Sequence, residues 1–384
     1  MQALVVSWYV YDLTRDPLWL ALIGLAEAIP AIGMAMPMGY VVDRLDKRLG
    51  IRVAVLLFLA SAVGTAVLLQ PSTVESIGVS PVIHGLLAMI VINGSGRAIY
   101  GPSMFSSLGR IVEREHIPRA SAFNSAVWQA AMVTGPMVGG LFYGWFGIEV
   151  ASMTILGLMF IGGAGALRIT SKPPVKHESR GSMREDLTLG IRFILSRPVI
   201  LGALSLDLFA VLFGGVVALL PVFAKDILNT NEAGLGLLRA AMGIGSIITM
   251  ALVAWRPIGK NAGRRLLWSV AGFGICILCF AVSTSFWLSV GLLVLAGGLD
   301  AVSVVIRHTI LQLQTPEEMK GRVAAANTMF ISSSNELGAV ESGIAARLLG
   351  TVPSVLVGGF VTLLVVAAVA ALNKPLRQMD ITSG

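Results

Sequence analysis

The chain has 384 residues, 55% hydrophobic and only 13% charged, with a formal net charge of +7 and a mean hydropathy of +0.83. Soluble domains carry about 25% charged residues, and no water-soluble fold of this length could bury so much apolar surface. The basic excess does not indicate nucleic-acid binding, because the lysines and arginines sit in short loops between apolar runs, as on the cytoplasmic face of a membrane protein.

A bilayer span needs roughly 20 mostly apolar residues, and such runs follow one another along the chain. Residues 1–13 are apolar but too short to cross, and they have neither the charged start nor the cleavage site of a signal peptide. They read as the second half of a first helix that begins upstream. The spans that follow are 18–41, 50–70, 82–110, 118–146, 148–168, 198–220, 232–256, 264–283, 286–314, 320–348 and 351–373. The longest connection, 169–197, is polar, basic and broken by Pro173 and Pro174. It separates an N-terminal bundle (1–168) from a C-terminal bundle (198–373), and residues 374–384 form a tail.

Orientation follows from the basic residues. Alternate loops and the tail hold 22 of the 28, among them Arg44, Arg114, Arg180, Arg265, Arg322 and Lys374, whereas the opposite loops hold only Arg15 and Lys225. The first set is therefore expected to be cytoplasmic, with the C-terminus inside. The other four, Arg97, Arg239, Arg307 and Arg347, fall within spans. Trp19, Trp145, Trp255, Trp268 and Trp287 lie near span ends, where interfacial tryptophans belong.

The two halves repeat. REHIPRASAFN around Arg119 and Asn124 matches EEMKGRVAAAN around Arg322 and Asn327 at an offset of 203, which also takes Gly135 to Gly338 and Gly140 to Gly343. Near the front of each half, Gly24–Ala28 matches Gly236–Ala240 at an offset of 212. The longer outward loop Gln70–Pro81 absorbs the difference. Two parallel six-helix bundles account for this pattern economically.

Chemistry-bearing motifs are scarce. Cys276 and Cys279 form a CxxC spacing, but inside an apolar run with no His or carboxylate nearby they read as packing residues rather than a redox or metal pair. The four histidines have no ligand spacing, and neither a nucleophile elbow nor a phosphate-binding loop occurs. Nothing supports an enzyme, a metal or a cofactor.

Three motifs resemble those of the major facilitator superfamily. GYVVDRLDKR, from Gly39 to Arg48, resembles its loop signature between the second and third helices, with Asp43, Arg44, Lys47 and Arg48 in the charged positions. Arg97 and Gly101 give its R-x-x-x-G on the fourth helix. TGPMVGG, with Gly135, Pro136, Gly139 and Gly140, is similar to the fifth-helix signature of proton-driven exporters, although its usual leading glycine is Ala131 here. The runs VYDLTRDPLWL, GIRFILSRPVILG and LQTPEEMKGRV look most like the enterobactin-exporter and macrolide-efflux subgroup.

The resemblance implies an all-α integral membrane fold, two six-helix bundles related by a pseudo-twofold axis around a cavity. It also implies that Asp43 faces the positive N-terminus of the eleventh helix and, with its basic neighbours, latches one state. Plain positive-inside topology would explain the same loop. The glycines let helices approach closely and Pro136 kinks one of them, in packing or in coupling.

An ionisable side chain at mid-bilayer costs at least ~2.5 kcal/mol, so each needs a partner or a purpose. Glu27, Arg97, Asp207, Arg239, Asp300, Arg307, Glu336 and Glu341 all fall there. By repeat, Glu27 superposes on Arg239 and Arg97 on Asp300, each a pair of opposite charge. Arg97, Asp300, Asp207 and Glu27 are the proton-coupling candidates, the alternative being ion pairs within each bundle. Trp8 and Trp128 also lie at mid-depth, either packed or stacking on an aromatic substrate, and Gly101 completes the cavity candidates.

The expected function is export of a siderophore-like or drug-like small molecule, driven by a proton gradient without any cofactor, in the cytoplasmic membrane. An importer or uniporter of the same fold, or a receptor or assembly protein, is the alternative. The partners implied are the small organic substrate and the lipid bilayer, with no nucleic acid and a monomer as the default.

Overall fold

An apolar run can lie in a bilayer only when its backbone N–H and C=O groups pair within the run, and these runs resolve as helices. The computed structural model describes residues 1–34, 47–111, 116–168, 183–256 and 261–380, and among them all regular structure is helical. Two compact units emerge, Met1–Arg180 with Asn231–Gly236, and Gly181–Thr230 with Leu237–Gly384.

The first unit contains α1 (Gln2–Thr14), α2 (Leu18–Gly33), α3 (Lys47–Leu68), the short α4 (Pro71–Ile77), α5 (Val79–Ile111) and α6 (Ile117–Leu167). Helix α5 packs on α2 and α3, and α6 packs on α3 and α1. Leu4, Val5, Val10, Ala54, Leu69 and Leu86 are fully buried there. A polar relay also ties three helices together. Gln2 on α1 donates to Ser61 Oγ (3.0 Å) and Thr65 Oγ1 (2.8 Å) on α3 and accepts from Asn93 on α5 (3.4 Å). Away from water such bonds link helices that apolar surface alone would not select.

The second unit contains α7 (Met183–Ser196), α8 (Pro198–Phe213), α9 (Val216–Val222), most of α10 (Glu232–Trp255), α11 (Ala262–Val282), α12 (Phe286–Gln314), α13 (Lys320–Leu349), α14 (Thr351–Leu372) and α15 (Lys374–Arg377). Helix α11 packs on α12 and α14, while α8 packs on α13 and α14. Within this unit Phe223 and Phe280 meet as a tilted ring pair with centroids 4.7 Å apart, both fully buried.

Among the described residues eight helices are long and apolar enough to cross a membrane, and one of them, Ala126–Leu167, is 42 residues long. That one is two spans in tandem, because Gly147 inside α6 has φ 81° and ψ 174°, which breaks the helix. Gly350, between α13 and α14, has φ 92° and ψ 155°. The repeat offset of 203 takes Gly147 to Gly350, so both halves turn between their last two spans on a glycine with positive φ and extended ψ, a conformation that residues with a Cβ avoid. Helix α13 is 30 residues long but polar for a span, with Asn335, Glu336 and Glu341 along it.

Three segments differ from the sequence expectation. The run expected as a single span over 198–220 is interrupted at Gly214–Gly215 and continues through α9 into a π-helical turn, Phe223–Ile227. A Cβ on Gly215 would sit 2.6 Å from Ser342 Oγ, so the close passage of α13 holds the break. The connection expected over 169–197 contains a helix, α7 (183–196), which docks on α13 with Gly190 against the Arg322 carbonyl and Ile194 buried. The loop 70–81 contains α4, started by Pro71 at its first position and stopped by Gly78 at φ 85°.

Candidate functional site

Two helix crossings, one in each unit, place the intramembrane charges. In the first unit α5 passes α2 at Gly94, where a Cβ would lie 2.9 Å from Pro30 Cγ and 3.6 Å from the Glu27 carbonyl oxygen. In the second unit α12 passes α10 at Gly297, where a Cβ would overlap the Met242 carbonyl. The repeat carries Gly94 to Gly297 and Pro30 to Met242, so these are one crossing made twice. Glu27 and Arg239 stand three residues before it on one helix, and Arg97 and Asp300 three residues after it on the other.

The four groups differ in environment. Glu27, Arg239 and Asp300 are half-buried, and Arg97 is exposed. No carboxylate among the described residues pairs with Arg97. A pairing of Arg97 with Asp300 would join residues of different units.

Within the second unit, Arg307 on α12 forms an ion pair with Asp207 on α8, the side chains 4% and 9% exposed. Asp300 precedes Arg307 by seven residues, two helical turns, and so shares its face of α12. It also lies within electrostatic reach of both Asp207 and Arg307. The three groups together carry one negative charge in excess when all are ionised. Glu336 and Glu341 are half-buried on α13.

Among the aromatic candidates, Trp8 is buried and its indole N–H donates to Glu232 Oε1 (3.0 Å), whereas Trp128 is 62% exposed. Gly101 is exposed, with open space where a Cβ would project. The fifth-helix glycines all lie against other backbone. Gly135 and Gly139 face Met1, and a Cβ on Gly140 would come within 2.5 Å of the Glu232 carbonyl and 2.7 Å of Gly236 Cα. Pro136 lies inside α6, its carbonyl against Gly236. In the loop signature, Gly39, Asp43 and Arg44 lie outside the described residues, and Lys47 and Arg48 open α3. Cys276 is buried and Cys279 exposed, both as free thiols.

Two residues enter the site that sequence reasoning did not select. Arg307 was one of several intramembrane charges, and the signal for it was its seven-residue spacing from Asp300. Glu232 is an acidic residue in the first turn of α10, and no sequence signal points from it to Trp8.

Serial apolar helices with ionisable groups among them define a multi-pass membrane protein. The chain belongs to the Major Facilitator Superfamily, whose family model matches residues 1–339. It is 27% identical over 263 residues to the Enterobactin exporter EntS of Escherichia coli, and equally to that of Shigella boydii. The matched region is 68% of this chain and spans 63% of the length of those relatives. Its fold matches those of the nucleoside transporter NupG (TM-score 0.70, 12% identity, 97% of this chain and 99% of that one) and a D-xylose-proton symporter (TM-score 0.72, 14% identity, 99% and 95%).

Proposed function

We propose that the protein exports a small organic molecule, siderophore-like or drug-like, in exchange for protons, by opening a central cavity alternately to each side of the cytoplasmic membrane. The observation that carries proton coupling is the excess carboxylate of the second unit. Arg307 neutralises Asp207, and Asp300 stands beside that pair with no cation of its own among the described residues. A proton on Asp300 makes the cluster neutral, and its release restores the charge. Apolar surroundings favour the neutral form and a nearby cation the ionised form, so any movement that alters the distance from Asp300 to a cation changes its hold on the proton. Arg97, the repeat mate of Asp300, would then act as the moving partner or as a contact for an anionic substrate. Asp43, with Gly39, Arg44, Lys47 and Arg48, would latch one state from the cytoplasmic side. Export, rather than import, is supported by the relatives that are enterobactin exporters.

The test is pH-gradient-driven flux beside substrate counterflow in proteoliposomes, using a catecholate siderophore and a macrolide. Asp300→Asn should lose gradient-driven accumulation and keep counterflow. Full gradient-driven transport by Asp300→Asn would remove it from the mechanism and shift the role to Asp207 or Glu27. Substrate moving with the protons rather than against them would make the protein an importer of the same fold.

A further inference from the structure

The second unit carries a groove of about 730 Å³ between the C-terminal end of α10, the start of α11 and the middle of α12. That volume falls in the range of about 300–1,000 Å³ typical of sites for small ligands. Its apolar lining includes Leu252 and Val253 of α10 and Leu299 and Val302 of α12. Its mouth carries Arg256 and Arg265, both exposed, between Trp255 (86% exposed) and Trp268 (75% exposed). From Thr249 at the inner end to Arg256 is seven residues, about 10 Å along a helix. The groove thus runs from apolar helix surface to a basic rim at the level where tryptophans mark the membrane interface.

No carboxylate among the described residues pairs with Arg256 or Arg265. Asp380, an acid of the neighbouring tail, is engaged with the backbone N–H of Asn261. Two arginines with no carboxylate partner among the described residues, at the edge of an apolar cleft, match a ligand with an anionic head and a hydrocarbon tail. We propose that this groove is a binding site for an anionic phospholipid, one acyl chain lying along Leu252, Leu299 and Val302 and its phosphate held by Arg256 and Arg265. Basic pockets between helices at the cytoplasmic side of a membrane are suited to such headgroups. The guanidinium fork can engage two phosphate oxygens at once.

The experiment is native mass spectrometry of the full chain, purified in detergent, with added phosphatidylglycerol or phosphatidylcholine of identical acyl chains. Glycerol phosphate serves as the head without a tail. Phosphatidylglycerol should be retained about 25-fold more tightly than phosphatidylcholine, and Arg256→Gln and Arg265→Gln should each remove about fivefold of that preference. Val302→Phe, which narrows the apolar end, should weaken retention of both lipids and leave the arginines in place. Equal retention of the two lipids by the wild-type chain would overturn the proposal, with no need for any variant to fold. So would a doubly substituted chain that keeps the preference, or glycerol phosphate binding as tightly as the complete lipid.

Discussion

Arg307 and Asp207 pair inside the second unit, from helices α12 and α8, with less than a tenth of either side chain exposed. Removing two ions from water costs several kcal/mol each, and their attraction recovers this only with good geometry, so such a pair is weak evidence for stability. Its effect here is on position. The pair fixes the rotation of α12 against α8, and hence where Asp300 stands on the same face two turns earlier.

The pair predicts a non-additive mutant cycle. Asp207→Asn leaves the Arg307 guanidinium without its partner and should lower stability by about 3 kcal/mol, the low end for a broken buried pair because Asp300 remains nearby. Adding Arg307→Met should recover most of that loss. Thermal unfolding in detergent measures both, and a double variant less stable than either single one would show that the two residues do not act as a unit.

Glycine positions on α12 should separate sharply. Alanine at Gly297 would press its Cβ onto the Met242 carbonyl of α10, which is backbone and can give way only by moving the helix. A loss of about 1–3 kcal/mol is expected, as for other overpacked contacts. Gly291, six residues earlier on the same helix, has nothing within 4 Å of an added Cβ. Gly291→Ala should be neutral or stabilising by up to about 1 kcal/mol, since alanine is the better helix former. Equal melting temperatures for the two variants would contradict the close crossing.

The hydrogen bond from Trp8 to Glu232 joins the first helix to the start of α10 within the first unit. Glu232 is half-buried, so water can replace part of what it loses. A cycle of Trp8→Phe with Glu232→Ala should give a coupling of about 1 kcal/mol. Glu232→Gln, which keeps an acceptor oxygen, should retain most of the stability. A coupling near zero would mean that Trp8 is held by its apolar surroundings alone.

Topology is testable with single cysteines in a chain lacking Cys276 and Cys279. The basic residues predict that position 179 faces the cytoplasm and that Ser76, on α4, faces outward. An impermeant thiol reagent applied to intact cells should label Ser76→Cys and spare Ser179→Cys. The reverse pattern would invert the orientation.

The sequence by itself determined that this chain lies in a membrane, where its helices run and that its halves repeat. Each of these is a local property. Hydropathy sums along a run, a bilayer forces that run to satisfy its own backbone, and a turn that needs positive φ selects glycine, as at Gly147 and Gly350. The same offsets that align the motifs carry the Gly94–Pro30 crossing onto Gly297–Met242, so the equivalence of Glu27 with Arg239 and of Arg97 with Asp300 was legible before any fold was known. Only the tertiary structure decided that Arg307 takes Asp207, that Glu232 receives the Trp8 N–H, that 183–196 is a docked helix and that the span from Pro198 breaks at Gly214–Gly215. A helix apolar on every side gives almost no amphipathic signal for its rotation. Which of its few polar side chains meet is therefore set by how neighbouring helices pack, through contacts between residues far apart in the chain.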